Sequence, residues 1–277
     1  MTSNERRWIH QRLWFAALAV VFGTILAPAE APAQRHAQPD VAKVPYGKGG
    51  PDNWLNIYLA EGARNGPPAP VYVWAHGNGG TADNFNEALW QRLSPAGISG
   101  VSWESVVFIS RTDPELAAKQ IKECWADFED VLAFIAANAG KYNFDPDRLV
   151  VGGSSRGSLV SWPLSHQHPA IKGIYSTGAL PDPVWTPAWD PRDLIHAKSP
   201  PLFFAYEATP GDGNVHNPDK GKLIVERYRE LGIGDRAFLE HSLDARGLSR
   251  WEFIVDFILR VTGTAARRPA AEAHGVR

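Results

Sequence analysis

Short runs of β-branched and aromatic residues alternate along this chain with longer segments in which apolar positions recur every three to five residues. The short runs predict strands, and several are apolar almost throughout, as strands buried on both faces of a sheet are. The longer segments predict helices that pack one apolar face on that sheet. This alternation is typical of βαβ units, so it predicts an α/β fold with a mostly parallel central sheet flanked by helices on both faces. The predicted strands are residues 55–61, 71–75, 105–111, 148–152, 171–177, 202–206 and 236–240, and the predicted helices are residues 82–93, 115–137, 156–166, 218–231 and 249–261.

One segment breaks this rhythm. Residues 181–201 hold six prolines together with Trp185 and Trp189, which is too irregular for a plain crossover helix. Long irregular loops in compact domains are often functional, and the carboxyl edge of a parallel sheet is where ligands bind. Two interpretations stay open: the segment forms a small lid or pocket wall, or it is a surface loop whose tryptophans pack on the domain body.

The first 33 residues have the organisation of a secretory signal peptide. Three arginines precede an apolar run at residues 13–27, and Ala-rich sequence ending at Ala33 follows. The apolar run has 15 residues, fewer than the roughly 20 of a membrane-spanning helix, so a retained anchor is the weaker alternative. We expect cleavage after Ala33, or alternatively after Ala29, and a secreted or periplasmic protein without a stable membrane anchor.

The rest of the chain divides into three parts. Residues 34–50 are polar with proline and glycine, which predicts a linker with partial disorder. Residues 51–265 form the predicted α/β domain, with residues 181–201 as its lid-like loop. Residues 266–277 form a predicted flexible tail.

Composition excludes several classes of protein. Of 277 residues, 44% are hydrophobic and 21% are charged, which is typical of an ordinary globular protein. Without residues 1–33 the chain keeps 25 basic and 28 acidic side chains, so no electrostatic case exists for a nucleic-acid partner. The sole cysteine, Cys124, cannot form an internal disulfide. The histidines are scattered without zinc-ligand spacing, so we predict no metal.

A G-x-S-x-G pattern runs from Gly153 to Gly157, directly after the predicted strand at residues 148–152. In a strand, tight turn, helix unit, the central serine lies at the apex with its hydroxyl exposed, and the glycines let strand and helix pass closely. The pattern therefore nominates Ser155 as a nucleophile, with Ser154 as the alternative hydroxyl. A purely structural Gly-Ser turn is the competing interpretation.

Further polar motifs flank this pattern in a consistent order. His76-Gly77-Asn78-Gly79-Gly80 follows the predicted strand at residues 71–75, and Asp212 and His241 lie downstream. In this order the motifs resemble those of α/β-hydrolases of the esterase and lipase type, over roughly residues 51–261. Residues 53–59 also resemble the opening strand of secreted carboxylesterases. Residues 141–148 resemble the approach to the nucleophile strand in feruloyl-esterase and polyester-depolymerase relatives.

The resemblance implies a catalytic triad of Ser155, Asp212 and His241. An alcohol is a poor nucleophile at neutral pH, so His241 would remove its proton and Asp212 would orient the imidazole. His216 is the nearest alternative base, and Glu207 is the alternative acid.

The resemblance also implies an oxyanion hole formed by the backbone N–H groups of Asn78, Gly79 and Arg156. His76 is expected to brace the loop rather than to act as the base. An arginine after the nucleophile departs from the smaller or apolar residue often found in the family, and we expect its guanidinium to fold into solvent.

These features together predict a secreted serine hydrolase that cleaves carboxylic esters through an acyl-enzyme intermediate, without a cofactor. Trp103, Trp185 and Trp189 are candidates to line its substrate pocket. One alternative is an extracellular polymer esterase, either a polyester depolymerase or a feruloyl or acetyl-xylan esterase. The other is a non-catalytic hydrolase-like binding protein. The sequence fixes neither the acyl and alcohol groups of the ester nor the oligomeric state.

Overall fold

An eight-stranded sheet forms the centre of the computed structural model, which describes residues 35–48, 50, 52–106, 108–178, 180, 190–206, 216–240 and 250–264. The strands are β1 (Val41–Pro45), β2 (Trp54–Tyr58), β3 (Ala69–Ala75), β4 (Ser99–Trp103), β5 (Phe144–Ser154), β6 (Ile171–Thr177), β7 (Leu202–Ala205) and β8 (Ala237–Glu240). Their order across the sheet is β1-β2-β4-β3-β5-β6-β7-β8. Strands β3 to β8 run parallel, whereas β1 and β2 pair antiparallel with their neighbours.

Helices cover both faces of this sheet. They are α1 (Glu87–Leu93), α2 (Pro114–Ala137), α3 (Ala139–Tyr142), α4 (Arg156–Val160), α5 (Trp162–Gln167), α6 (Pro218–Glu230) and α7 (Arg250–Val261). Helices α1 and α7 contribute to the apolar cluster on one face, and α2, α4, α5 and α6 contribute to the larger cluster on the other. The predicted α/β fold with helices on both faces is therefore confirmed.

Strand β3 illustrates why apolar runs form the centre of the sheet. Val71 and Val73 pack into the larger cluster, whereas Tyr72 and Trp74 pack against the smaller cluster on the opposite face. Successive side chains of a strand point to opposite faces, so a strand that is covered on both sides must be apolar at every position.

Two long helices begin where side chains cap them. Asp113 accepts hydrogen bonds from the Glu115 and Leu116 amides at the start of α2, and proline occupies the first helical position. Asn217 caps α6 in the same way, again before a proline. A capping oxygen satisfies an amide that has no partner within the helix, and proline there loses no hydrogen bond. The predicted helix at residues 115–137 begins one residue after the start of α2, and the predicted helix at residues 218–231 ends one residue after the end of α6.

The predicted strand at residues 105–111 is wrong: the strand of this region is β4 at Ser99–Trp103. Periodicity favoured the later run because it is richer in apolar residues. Strand β4 contains Gly100, where an added Cβ would lie 3.2 Å from Phe85 Cε1 and 3.4 Å from Tyr58 Cβ. Glycine at this strand position makes room for aromatic rings, a requirement that residue preferences do not reveal.

Three other sequence predictions differ from the structure. The predicted helix at residues 82–93 is a 3₁₀ turn at Ala82–Asn84 followed by α1, which begins after its cap Asn86. Strand β1 lies inside residues 34–50, which were expected to be a linker, and it pairs with β2. The predicted helix at residues 156–166 is two short helices, α4 and α5, that meet at Ser161, with a proline in the first turn of α5.

Several predictions fall outside the described residues and stay predictions. These are the signal peptide at residues 1–33, the tail, Trp185 and Trp189 in the proline-rich segment, and the triad candidates Asp212, its alternative Glu207, and His241. Within the described ranges, no helix is long and apolar enough to cross a membrane.

Strand β5, helix α4 and strand β3 approach one another very closely. A Cβ at Gly153 would lie 2.3 Å from the Ala75 carbonyl oxygen, and one at Gly157 would lie 2.2 Å from the same atom. Both distances are far below van der Waals contact, so this approach requires two glycines. Their spacing reproduces the G-x-S-x-G pattern.

We predict that Gly153→Ala lowers the free energy of unfolding by about 2–3 kcal/mol or more, because the methyl group must displace backbone atoms of β3. The matched control is Gly140→Ala in α3, where nothing lies within 4 Å of an added Cβ. That variant should be unchanged or up to about 1 kcal/mol more stable. Urea unfolding measures both, and equal stabilities for the two variants would contradict the prediction.

His166 on α5 is a buried histidine. Its Nδ1 lies 2.9 Å from Ser199 Oγ, and its ring packs edge-on against Trp162 at a centroid distance of 4.3 Å. Burial, aided by the charge of nearby His196, lowers the pKa of His166 to about 3. Between that value and the ordinary histidine pKa of about 6.5, the unfolded chain binds a proton that the folded chain excludes.

The free energy of unfolding should therefore fall as the pH is lowered from about 6.5 towards 3, by at most about 1.4 kcal/mol per pH unit from this residue. The stability that comes from keeping His166 neutral is fully present above about pH 6.5. Urea unfolding at several pH values, compared with His166→Asn, isolates the effect because all other titrating groups are shared. The variant should show the shallower pH dependence, and identical slopes would refute the assignment.

Candidate active site

Ser155 lies at the turn between β5 and α4 in a backbone conformation that few residues adopt. Its φ is +50° and its ψ is −112°. A residue other than glycine at positive φ has a strained backbone. Such strain persists only where surrounding contacts hold the conformation, and it is concentrated at functional sites. Here the Ser155 amide donates to the Thr177 carbonyl at 2.8 Å, which fixes the turn against β6. This is the strained strand-to-helix geometry that the G-x-S-x-G pattern predicts.

A histidine lies within hydrogen-bond distance of this serine. The Nε2 atom of His216 is 3.1 Å from Ser155 Oγ. His216 directly precedes Asn217, the residue that caps α6, so the start of that helix fixes its position. Of the two histidines proposed from sequence, the structure places His216, whereas His241 lies outside the described residues.

The loop after β3 forms a tight turn beside the nucleophile. The Gly80 amide donates to the Gly77 carbonyl at 3.0 Å, and Gly79 has a φ of +77°. A turn with positive φ at its third residue favours glycine there. A Cβ added at Gly77 would lie 3.9 Å from Ser155 Cβ, so the loop adjoins the serine.

Asn78 has a specific role in this loop. Its side-chain amide donates to the Ile109 carbonyl at 3.1 Å, and its side-chain oxygen accepts from the Ile109 amide at 2.7 Å. This pair of hydrogen bonds holds the loop to the segment after β4. Asparagine thus replaces a glycine of the family pattern without disturbing the turn. The Ile109 and Ser110 amides, which belong to the predicted strand at residues 105–111, thus donate to the side chains of Asn78 and Gln120 instead of to a neighbouring strand.

The Asn78 and Gly79 amides are candidate oxyanion donors. Neither donates a hydrogen bond within the described part of the chain. The Arg156 amide opens α4, and the first amides of a helix have no partner inside it. All three amides proposed from sequence therefore remain available near Ser155.

The expectation that the Arg156 guanidinium folds into solvent is wrong. Arg156 is only 1% exposed. Its Nη1 lies 2.9 Å and 3.0 Å from the two ring nitrogens of His76, and its Nη2 lies 3.5 Å from Cys124 Sγ. His76 Nε2 in turn lies 2.7 Å from Glu104 Oε1. The side chain thus turns inward to the His76 ring, which is itself paired with the buried Glu104 carboxylate, while Arg156 Nε has no hydrogen-bond partner among the described residues.

His76 braces the loop, as expected from sequence. The ring is buried, and its Nδ1 lies 2.7 Å from the Gly77 carbonyl oxygen. Sequence reasoning missed Glu104, which follows β4. The predicted strand at residues 105–111 begins after Glu104, whereas β4 ends at Trp103 and so puts Glu104 at the same sheet edge as His76.

Trp103 is a core residue rather than the wall of an open pocket. It is 1% exposed, and its ring stacks on Phe128 at a centroid distance of 5.3 Å. It lies on β4 and points into the larger apolar cluster. The sequence proposal for Trp103 as a substrate-pocket residue is therefore corrected.

A cavity of about 290 Å³ lies beside the turn between β5 and α4. Its lining includes Ser154 and Thr177 together with the aromatic rings of Trp74, Tyr175 and Trp251. Ser154, the alternative hydroxyl, lines this cavity, and the histidine contact is made by Ser155. This arrangement favours Ser155 over Ser154 as the nucleophile.

The described residues hold no group of three histidine, cysteine, aspartate or glutamate side chains that could bind a metal ion. The site contains a serine in a strained backbone conformation, a histidine within hydrogen-bond distance of its hydroxyl, and backbone amides that are candidates to donate hydrogen bonds to an oxyanion.

Comparison with known proteins supports the fold. No protein-family model matches this sequence, and neither does any curated protein. Among solved structures, a carbohydrate esterase from gut microbiota is 13% identical with a TM-score of 0.59, and covers 84% of this chain and 99% of its own. An esterase of Thermogutta terrifontis is 14% identical with a TM-score of 0.56, covering 78% and 90%. A bacterial heroin esterase is 16% identical with a TM-score of 0.56, covering 79% and 83%. The chain therefore has the α/β-hydrolase fold of these esterases.

Proposed function

We propose that this protein hydrolyses carboxylic esters with Ser155 as its nucleophile. The observation that carries the proposal is the His216 Nε2 to Ser155 Oγ distance of 3.1 Å at a turn where the serine is held at positive φ. A histidine at this distance can accept the hydroxyl proton as the oxygen attacks. The names of structures with the same fold support ester cleavage as the reaction class.

The proposed reaction has two halves. In the first, the histidine removes the Ser155 proton as Oγ adds to the ester carbonyl. The Asn78, Gly79 and Arg156 amides donate to the resulting oxyanion. The tetrahedral intermediate expels the alcohol, which takes the proton from the imidazolium and leaves an acyl-enzyme. In the second half, water gives a proton to the histidine and attacks the acyl carbon. The tetrahedral intermediate then releases the carboxylic acid by breaking its bond to Ser155 Oγ, which takes the proton from the imidazolium.

We propose His216 as the base, on the strength of its distance to Ser155. His241 remains the alternative that the family resemblance supports, since that resemblance puts the histidine after the last strand. Asp212, with Glu207 as its alternative, is the proposed acid on the same resemblance. Export by the N-terminal signal peptide is likewise a proposal from sequence.

We predict that Ser155→Ala lowers kcat for p-nitrophenyl acetate by several orders of magnitude while KM and folding are retained. The matched control is Ser154→Ala at the neighbouring hydroxyl, which should keep activity within about an order of magnitude because it removes no reacting group. Loss of activity in the Ser154 variant with retention in the Ser155 variant would overturn the assignment of the nucleophile.

The base is tested by His216→Ala against His241→Ala. Removal of the true base should lower kcat about as much as loss of the nucleophile, because triad members act as a unit. We expect that loss for His216→Ala and a much smaller effect for His241→Ala. The reverse pattern would assign the base to His241. If neither substitution affects turnover, the serine hydrolase mechanism itself fails.

The substrate is tested with a p-nitrophenyl ester series from acetate to long acyl chains, alongside an insoluble polyester and feruloylated xylan. Hydrolysis of soluble esters at higher rates than polymers supports a general esterase. Faster release from a polymer would identify a polymer esterase. Binding of any of these without turnover, by folded protein, would indicate a hydrolase-like binding protein and refute the proposal.

A further inference from the structure

Three neighbouring parallel strands each lead into a buried polar side chain at the same edge of the sheet. Glu104 directly follows β4, His76 directly follows β3, and Arg156 lies just past the end of β5. Their exposures are 3%, 1% and 1% respectively. Burying charged groups is costly unless they are paired, so a row of this kind requires specific compensation. The proposed proton transfers use none of these three side chains.

The contacts within the row connect both sides of the proposed oxyanion hole. The Arg156 amide forms one side, and its own guanidinium contacts the His76 ring at 2.9 Å and 3.0 Å. His76 begins the loop whose next amides, those of Asn78 and Gly79, form the other side. The Arg156 side chain is therefore in contact with His76, which begins the loop that carries the Asn78 and Gly79 amides.

Glu104 holds both ends of that loop. Its Oε1 lies 2.7 Å from His76 Nε2 at the start of the loop, and its Oε2 accepts from the Ala82 amide at 3.0 Å where the loop ends. The backbone of Glu104 is itself held on both sides, since its amide donates to the Trp54 carbonyl at 2.8 Å and its carbonyl accepts from the Tyr46 hydroxyl.

We propose that Arg156, His76 and Glu104 are positioning residues that fix the spacing between the two sides of the oxyanion hole. The inference rests on the proposed function, because the hole is defined by ester chemistry. An oxyanion hole stabilises the transition state only if its donors are already in place when charge develops. A buried bridge between its two sides achieves this without contact with the substrate.

The first test is Arg156→Met, which keeps the length of the side chain and removes the guanidinium. Loss of one oxyanion donor typically lowers kcat by about 10²–10³-fold, so displaced donors should lower kcat by about 10–100-fold. KM should change by less than about threefold, because ground-state binding does not depend on the hole. The affinity for a boronic acid that mimics the tetrahedral intermediate should fall in parallel with kcat/KM.

Arg148→Met is the matched control. Arg148 lies towards the opposite end of β5 and donates hydrogen bonds to Asp145 at 2.6 Å, Thr264 at 3.0 Å and the Pro68 carbonyl at 2.8 Å. Its removal also deletes a guanidinium with several partners, so it should lower the melting temperature. It should leave kcat and the boronic acid affinity of the enzyme within about twofold, because additivity holds between distant sites.

Glu104→Gln and Arg156→Lys give independent readouts. Glu104→Gln is nearly isosteric, so it decides the question if Arg156→Met does not fold, and it should lower kcat in the same way. Arg156→Lys retains the charge and should recover part of the activity lost in Arg156→Met. The double variant Arg156→Met with Glu104→Gln should lose less than the product of the single effects, because both substitutions break one bridge. Folded variants with parental kcat and parental boronic acid affinity would overturn the proposal, as would strictly multiplicative effects in the double variant.

Hydrogen exchange tests the bridge between Arg156, His76 and Glu104 independently of ester hydrolysis. Amide exchange in residues 76–82, followed by mass spectrometry, requires no ester turnover. Faster exchange in Arg156→Met than in Arg148→Met would support the bridge even if the parent protein fails to cleave esters. Equal exchange in the two variants would refute the bridge even if the parent is an active esterase.

Discussion

The close approach of strand β5 and helix α4 to strand β3 is the constraint on which the rest of the site depends. The Ala75 carbonyl oxygen occupies the space that Cβ atoms at both Gly153 and Gly157 would need. With no side chain at either position, the chain turns sharply between strand and helix and holds Ser155 at a φ of +50°. The strain at that serine is balanced by the contacts around it, including the hydrogen bond that its backbone amide donates to the Thr177 carbonyl. The two glycines of the G-x-S-x-G pattern are thus required by the close packing of β5 and α4 against β3.

The parallel arrangement of the central strands brings the remaining groups to this turn. Because β4, β3 and β5 are neighbours and run in one direction, the residues that follow them meet at one edge of the sheet. That edge carries the Gly-rich loop after β3, the strained serine after β5 and the carboxylate after β4. The start of α6 brings His216 to the same place. Polar groups that lie up to about 140 positions apart in the chain therefore meet at a single site, through the order of the strands and the position of α6.

The same edge contains two kinds of polar chemistry in close proximity. Ser155 and His216 are partly exposed, and their Oγ and Nε2 atoms lie 3.1 Å apart. Arg156, His76 and Glu104 are buried and contact one another. The backbone of Arg156 belongs to the first group and its side chain to the second. An arginine directly after Ser155 is accommodated because its guanidinium contacts the buried His76 ring, which is paired with Glu104.

The sequence by itself determined the α/β class, β6 with its observed bounds, most of the parallel strands, the limits of α2 and α6, and the serine at the elbow. These features depend on local periodicity, capping and glycine spacing, which a single stretch of chain contains. Only the tertiary structure decided that β4 precedes the apolar run at residues 105–110, that Trp103 is a core residue, that the Arg156 side chain turns inward and that His216 reaches Ser155. Each of these depends on which side chains from distant segments meet, as when Asn78 pairs with Ile109 or Gly100 makes room for Phe85. Contacts of that kind follow from the order of strands in the sheet, and no local pattern of residues encodes that order.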